Sequence, residues 1–155
     1  MAQLILPLVE FWGRPYNESM KAVVIETRPE VLAELKSILS EFKIDVVMWT
    51  DKGSSWANDF KAARPDFVFI DYMVSGRDGL KCLEMAIEMT NSPSYFFMHP
   101  FRGLRANDLE EKAFLIGADV VIQKPLNKNR LRTSITRLIR NNESNSRKTT
   151  LVLRE

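Results

Sequence analysis

Short apolar runs alternate with helically spaced apolar residues along most of this 155-residue chain, and this alternation constrains the fold more than any other feature. Five of the runs are short and apolar, as buried strands are. They span residues 22–25, 44–49, 67–70, 95–98 and 120–122. Between two of them, Leu32, Leu35 and Leu39 recur on one face of a helix. Strands that alternate with helices predict an α/β fold with a parallel sheet covered on both faces.

Right-handed crossovers leave few ways to connect such strands. We predict a flavodoxin-like, doubly wound, five-stranded parallel sheet with strand order 2-1-3-4-5. In that order the carboxyl ends of strands one, three and five converge. They would bring together the pair Glu26-Thr27, Asp71 and Lys124.

Several residues mark where the helices begin and end. Pro29 suits the first turn of a helix, and Ser54 or Ser55 is expected to cap the next one. After a polar and aromatic loop, a helix is predicted from about residue 108 to 116, with Gly117 ending it.

The chain is long enough for one domain with a proper core, since 45% of its residues are hydrophobic. We predict an apolar extension at residues 1–19, one domain at residues 20–140 and a polar, basic tail or linker at residues 141–155. The extension has no basic leader and is broken by Pro7 and Glu10, so neither a signal peptide nor a membrane span is expected. It is expected to pack on the domain or on a partner, and a homodimer is one such arrangement.

The cysteine content and the charge distribution limit the possible cellular compartment and binding partners. Cys82 is the single cysteine, so an internal disulfide is excluded and a reducing compartment, the cytoplasm, fits best. Of the 22 Lys and Arg residues, eight lie in residues 127–155, against two of the 20 acidic residues. A basic end can approach phosphates, but no base-reading motif accompanies it, so nucleic-acid binding through this domain is not expected.

Two strand ends carry chemically distinctive motifs. Asp71 ends the third apolar run and is followed by Asp78-Gly79, and Lys124-Pro125 follows the fifth run. In this order and spacing, the motifs resemble the phosphoacceptor strand and the Lys-Pro strand end of the response-regulator receiver family, which has a CheY-like fold. The resemblance covers roughly residues 20–140.

The resemblance implies a role for each site residue. Asp71 would be the phosphoacceptor, and Lys124 would contact Asp71 and then the phosphoryl oxygens. Mg²⁺ would be held by Glu26, Asp71 and the backbone carbonyl of Met73. Pro125 would follow a cis bond. The implied partner is a histidine kinase or another signalling protein, and no enzyme activity is expected beyond self-phosphorylation at Asp71.

The chain also departs from the family pattern. Thr27 replaces the carboxylate that is normally the direct metal ligand, which should weaken Mg²⁺ binding. The fourth strand ends in Met98 or His99, where the family has a small hydroxyl residue, and Val121 takes the place of a switching aromatic. The stretch at residues 98–117 is about four residues longer than usual.

Three functional hypotheses follow. In the first, Asp71 accepts a phosphoryl group and shifts a two-state equilibrium that regulates a partner or an attached output. In the second, slightly favoured, the chain is a pseudo-receiver that binds proteins without phosphorylation. The third is a small flavodoxin-like nucleotide-binding protein or enzyme, although no glycine-rich phosphate loop follows the first strand. For each site residue a structural role is the alternative: Asp71 or Glu26 as a helix cap, and Lys124 or His99 in a surface or loop contact.

Overall fold

A computed structural model describes the backbone of residues 10–11, 14–15, 19–49 and 56–154, and the side chains of residues 19–48 and 58–142. Strands and helices alternate through most of it. The elements are β1 (Glu10–Phe11), β2 (Arg14–Pro15), β3 (Met20–Ile25), α1 (Pro29–Glu41), β4 (Ile44–Trp49), α2 (Trp56–Ala63), β5 (Phe67–Asp71), β6 (Met73–Val74), β7 (Arg77–Asp78), α3 (Gly79–Met89), β8 (Ser94–His99), α4 (Gly103–Ile116), β9 (Val120–Gln123) and α5 (Lys128–Arg154).

The central sheet has five parallel strands in the order β4-β3-β5-β8-β9. Counting only these strands, the order is 2-1-3-4-5, so the predicted flavodoxin-like topology is confirmed. The register places Ile25 beside Ile70 and Asp71 beside Met98. Because parallel strands end at one edge, the residues that follow β3, β5 and β9 are brought to the same side of the molecule.

The core explains the near-continuous apolar runs. Every residue of β5 and β8 is buried, as expected for central strands covered on both faces. One face packs Val23, Val68 and Phe97 in a cluster with Phe60 of α2 and Leu83 of α3. Such burial contributes about 1.5–3 kcal/mol for each large apolar side chain, before the opposing loss of chain entropy.

The segment between β5 and α3 is an ordered hairpin. Strands β6 and β7 pair antiparallel, and Ser75 and Gly76 connect them with φ values of 49° and 80°. Two successive residues with positive φ are typical of a tight two-residue hairpin turn, in which glycine is favoured. Asp78 then caps α3 by accepting the Leu80 N–H at 2.9 Å.

Helix α4 begins at Gly103, five residues earlier than the sequence predicts. Arg102 precedes it and makes no side-chain capping hydrogen bond, so the usual Ser, Thr, Asp or Asn start signal is missing. Asp108, the approximate start predicted from the sequence, lies inside the helix. Gly117 follows the helix with φ 134°, as the predicted glycine end requires.

The chain divides into two compact units, Met20–Lys128 and the remainder. In the remainder, β1 and β2 form a short antiparallel pair and α5 is one helix to Arg154, so residues 141–154 are helical.

The predicted cap at Ser54 or Ser55 and most of the apolar extension lie outside the described residues. Among the described helices, none is both long and apolar enough to cross a membrane. The domain boundaries drawn from the sequence stay a prediction.

Candidate functional site

Three charged residues meet at the carboxyl edge of the sheet. Lys124 Nζ donates to Glu26 Oε2 and to Asp71 Oδ1, each at 2.6 Å. All three side chains are at least nine-tenths buried. The predicted convergence of these strand ends is therefore confirmed, while the chemical roles of the three residues stay predictions.

Both carboxylate oxygens of Glu26 are occupied. Oε2 accepts from Lys124, and Oε1 accepts the backbone N–H groups of Thr27 at 3.0 Å and Arg28 at 3.1 Å. These bonds attach the backbone of the β3–α1 loop to the side chain of Glu26, which is the first residue of that loop. Glu26 thus acts as the buried counter-ion of Lys124 and as a brace for the β3–α1 loop.

Asp71 is less completely engaged. Oδ1 accepts from Lys124, whereas Oδ2 has only a long contact, 3.4 Å, with the N–H of Met73. Burial raises the pKa of Asp71 above its ordinary value of 3.8, against the opposing effect of the Lys124 ammonium, and the negative charge of Glu26 adds to the rise. Asp71 therefore keeps one oxygen available for chemistry or for an ion.

The donor set fits Mg²⁺ poorly. The ion takes oxygen ligands in near-octahedral geometry, yet Glu26 already accepts three hydrogen bonds, from Lys124 and two backbone N–H groups, with which an ion would compete. Thr27 supplies only a neutral hydroxyl on an exposed residue. Met73, whose carbonyl is the third predicted ligand, lies in the β6–β7 hairpin. Within the described part of the chain, no group of three His, Cys, Asp or Glu side chains is arranged to hold a metal ion.

The predicted switch positions lie in and beside β8. Met98 is fully buried and its carbonyl accepts the N–H of Tyr72 at 2.8 Å. Val121 is partly buried and packs against the core cluster. Neither Met98 nor His99 carries a hydroxyl group, Val121 is not aromatic, and His99 ends the strand beside Gln123.

His99 is fully buried and hydrogen-bonded on both ring nitrogens. Nδ1 accepts the Phe101 N–H at 3.0 Å, which assigns the ring proton to Nε2, and Nε2 donates to Glu110 Oε1 at 2.9 Å. The ring thereby connects β8 to both the β8–α4 loop and α4. His99 is thus the last residue of β8 rather than a loop residue, and its role at the site stays a prediction.

Residues that the sequence did not single out form an aromatic cluster beside this connection. The Phe101 ring meets the Tyr72 ring edge-on, with centroids 4.8 Å apart, and the Arg105 guanidinium lies 3.8 Å from the Phe101 centroid. Glu110 lies eleven positions after His99. No local motif links these residues, because they meet only once α4 has packed against the sheet.

Comparison with known families decides the assignment. The model of the response regulator receiver domain matches residues 22–136, most of the chain. This chain belongs to the response regulator receiver family. The resemblance inferred from Asp71 and Lys124-Pro125 is confirmed, and the Lys124-Pro125 bond is cis, as the family pattern implies.

Solved receiver structures share the fold at low sequence identity. A CheY-like receiver domain from Methanospirillum hungatei JF-1 has a TM-score of 0.71 at 18% identity, with 83% of this chain and 99% of that chain covered. The receiver domain of a modulated diguanylate cyclase from Desulfovibrio desulfuricans G20 has a TM-score of 0.66 at 19% identity, with the same coverage. The response regulator DrrB of Thermotoga maritima has a TM-score of 0.68 at 20% identity, covering 81% of this chain and 55% of that one.

The receiver assignment places the protein in two-component signalling. A search of curated proteins found no match. Receiver domains are generally signalling modules rather than enzymes, they interact with histidine kinases or output domains, and they typically bind Mg²⁺ at the phosphorylation site. In this receiver domain, Asp71 and Lys124 meet at the sheet edge, and the departures from the family pattern at Thr27, at Met98 or His99 and at Val121 stay predictions.

Proposed function

We propose that this receiver domain is a pseudo-receiver that binds a signalling partner in one fixed conformation, with phosphorylation of Asp71 weak or absent. The observation that carries the proposal is the closed ion network in which Lys124 holds Glu26 and Asp71 at 2.6 Å each. In this network a lysine ammonium lies between the carboxylates that would otherwise attract a divalent cation.

The network disfavours metal-dependent phosphorylation through its charge and its hydrogen bonds. With both carboxylates ionised, the three side chains carry one net negative charge, and Thr27 adds none. An ion bound through Glu26 would have to compete with Lys124 at Oε2 or with two backbone N–H groups of the β3–α1 loop at Oε1. Without a nearby divalent cation, the negative charge on an incoming phosphoryl group is repelled by Asp71 and Glu26.

The hydrogen bonds of His99 support a fixed conformation. A small hydroxyl residue at this strand end would be free to turn towards a phosphoryl group, whereas the His99 ring is held by Phe101 on one side and Glu110 on the other. With Val121 in place of a switching aromatic, no pair of residues is left to transmit a change at Asp71. Partner binding in a constant state is the function that such a domain retains.

Several wider features belong to the same proposal. The partner is a histidine kinase or another signalling protein, or an output region in the same protein, and a homodimer is an alternative assembly. The cytoplasm is the proposed location, on the strength of the single, buried Cys82. The domain limits are residues 20–140, with an apolar extension before them and a polar, basic region after them.

The alternative is a working phosphoacceptor, and one observation favours it. Asp71 Oδ2 has only a 3.4 Å contact with Met73, so a nucleophilic oxygen remains. A flavodoxin-like enzyme or nucleotide-binding protein that uses Glu26, Asp71 and Lys124 themselves finds less support, since these three side chains bond to one another.

Intact-mass measurement after incubation with Mg²⁺ and a small phosphodonor tests the proposal. We expect little or no phosphoryl adduct on the native protein, and none on the Asp71→Asn variant. The informative variant is the double substitution Glu26→Asp with Thr27→Asp, which restores the acidic pair and shortens the side chain that binds Lys124. We expect it to acquire an adduct that Asp71→Asn removes.

The outcomes separate the two versions. Stoichiometric, Asp71-dependent labelling of the native protein would overturn the pseudo-receiver proposal. Failure of the double variant to label, with its fold retained by circular dichroism, would show that the acidic pair is not what disables the site.

A further inference from the structure

A cleft of about 410 Å³ lies beside the ion network, within the unit Met20–Lys128. One wall comes from the segment after β5 and includes Tyr72, Met73 and Asp78. The other comes from the β8–α4 loop and α4 and includes Phe101, Arg105 and Leu109. The volume is in the range of small-molecule sites, roughly 300–1,000 Å³, and the walls combine apolar, aromatic and charged side chains as such sites do.

The cleft contains a flat cationic platform. The Arg105 guanidinium lies 3.8 Å from the centroid of the Phe101 ring. Phe101 is itself held by the edge of Tyr72 and by the bond from its N–H to His99. A guanidinium held against an aromatic ring offers a planar surface on which bases stack.

The opposite wall supplies an anchored acceptor. Asp78 caps α3 through Oδ1, which accepts the Leu80 N–H, and this bond fixes the carboxylate at the cleft. A carboxylate accepts two N–H donors side by side. Guanine carries such a pair on its Watson–Crick edge, whereas inosine has one of the two donors and adenine does not present that pattern.

The charges of the cleft favour a base over a phosphate chain. The lining contains one cation, Arg105, and two carboxylates, Asp78 and Asp108, and Asp108 is paired with Lys112 at 3.1 Å. Since the lining has no excess of positive charge, a phosphate chain would gain little. A neutral planar ring gains both the stack and the hydrogen bonds.

We propose that this cleft binds a purine base of the guanine type, stacked on Arg105 with its donor edge towards Asp78. The site is separate from the proposed partner-binding function and does not depend on whether Asp71 accepts a phosphoryl group. Because the cleft is open to solvent, the affinity for a nucleoside is expected to be modest.

Titration of the ¹⁵N-labelled full chain with guanosine, followed by NMR, tests the site directly. We expect saturable shifts of the amides of Gly76, Phe101 and Arg105, with inosine about tenfold weaker and adenosine weaker still, since a hydrogen bond to a charged group is worth about one power of ten or more. Arg105→Ala is expected to weaken guanosine binding at least tenfold. Arg105→Lys keeps the positive charge but lacks the planar guanidinium group. It should bind guanosine less than threefold more tightly than Arg105→Ala does.

Variants at the two carboxylates give a matched comparison. Asp78→Asn preserves the cap on α3, since Asn caps helices as well as Asp does. It should abolish the preference for guanosine over inosine. Asp108→Asn removes the same charge from the same cleft and should change guanosine binding less than twofold, as should Arg137→Ala on α5.

Four outcomes would overturn the proposal. The first is the absence of saturable shifts with guanosine, and the second is guanosine binding by Arg105→Lys as tight as that of the native protein. The third is an Asp78→Asn variant that still prefers guanosine over inosine. The fourth is an effect of Asp108→Asn on guanosine binding equal to that of Asp78→Asn. Weakened guanosine binding in Arg105→Ala, together with loss of the preference for guanosine over inosine in Asp78→Asn, supports it when circular dichroism is unchanged.

Discussion

At the scale of single residues, Glu26 differs most from what the family pattern implies. A strand-end acid was expected to be a metal ligand or a helix cap. The structure gives it three hydrogen-bond donors, from Lys124, Thr27 and Arg28, and its role as a metal ligand stays a prediction. The extra methylene of Glu relative to Asp lets one side chain reach the Lys124 ammonium while still bracing its own loop.

Replacement of Glu26 by Gln tests this dual role. Gln retains an oxygen for the backbone N–H groups but loses the ionic bond to Lys124. We expect the free energy of unfolding to fall by about 1.5–3 kcal/mol, the value of a hydrogen bond between charged groups. Urea denaturation at pH 7 measures the change, and Glu84→Gln on the exposed side of α3 is the control, expected within about 0.5 kcal/mol of the native protein. A loss no larger than the control's would contradict the role of Glu26.

The raised pKa of Asp71 gives a second prediction at this scale. Since burial disfavours the charged carboxylate, the folded protein holds the Asp71 proton more tightly than the unfolded chain does. The stability contributed by this group is complete below about pH 3.8 and is lost as pH rises through the folded-state pKa.

Asp71→Asn mimics the protonated form, so its stability relative to the native protein should improve as pH rises from 4 to 7. Urea denaturation of both proteins across this range measures the difference. A difference that stays constant, or that moves the other way, would show that the pKa of Asp71 is not raised.

At the scale of elements, α4 depends on contacts that local sequence does not encode. Its start at Gly103 lacks a capping side chain. Its attachment to β8 comes from the hydrogen bond between Glu110, on the second turn of α4, and His99, eleven positions earlier in the sequence. Elements whose signal is local were predicted well: α1 begins at Pro29, and β4 spans the predicted residues 44–49. The start of α4 was predicted poorly because tertiary contacts, rather than a cap, stabilise it.

Loss of the His99 partner should loosen α4. Glu110→Ala leaves a buried Nε2–H unpaired, and we expect a loss of about 1–3 kcal/mol with faster exchange of the Phe101 amide. Glu110→Gln still offers an acceptor and should lose less than half as much. Glu111→Ala, at the exposed neighbouring position on α4, is the matched control. Hydrogen exchange of α4 measures the effect, and equal exchange in Glu110→Ala and Glu111→Ala would rule it out.

The turn from β5 into α3 contains a glycine with no room for a side chain. A Cβ at Gly79 would lie 2.0 Å from the backbone oxygen of Asp71, whereas a Cβ at Gly76 would meet nothing within 4 Å. Gly79→Ala must therefore shift the backbone that carries Asp71, and we expect a loss above about 3 kcal/mol. Gly76→Ala meets only the strain of its positive φ, about 1 kcal/mol. Thermal unfolding of both variants is the measurement, and similar midpoints would refute the close approach.

At the scale of the whole molecule, the fold and the meeting of Glu26, Asp71 and Lys124 were predictable from the sequence, because each follows from strand order and from residues that end strands. The connection from His99 to Glu110 and the cluster around Phe101 were not. They depend on how a helix with a weak local start signal packs on the sheet, and no spacing rule joins residues that far apart. A sequence therefore predicts which groups reach the sheet edge better than which groups hold them there.

The proposed pseudo-receiver function implies two separate defects, one at the metal ligands and one along the path from Asp71 to α4, and a phosphoryl mimic distinguishes them. With beryllofluoride and Mg²⁺, we expect no change in the NMR spectrum of the native protein, because its acidic pair binds the ion poorly. In the variant Glu26→Asp with Thr27→Asp, we expect shifts at Asp71 and its immediate neighbours. These shifts should not extend along α4, since His99 remains bonded to Glu110. Val121 also replaces the aromatic residue that would move together with a hydroxyl residue at the end of β8.

The matched control is the same double variant with Asp71→Asn, which should show no shifts. Shifts that extend along α4 and β9 in the double variant would mean that the path from Asp71 is intact and that only the metal ligands disable the domain. Shifts confined to the sheet edge would mean that restoring the acidic pair repairs chemistry without repairing the switch. In that case the conformation of α4 is set by His99 and Glu110, and any partner that recognises α4 encounters the same surface whatever the state of Asp71.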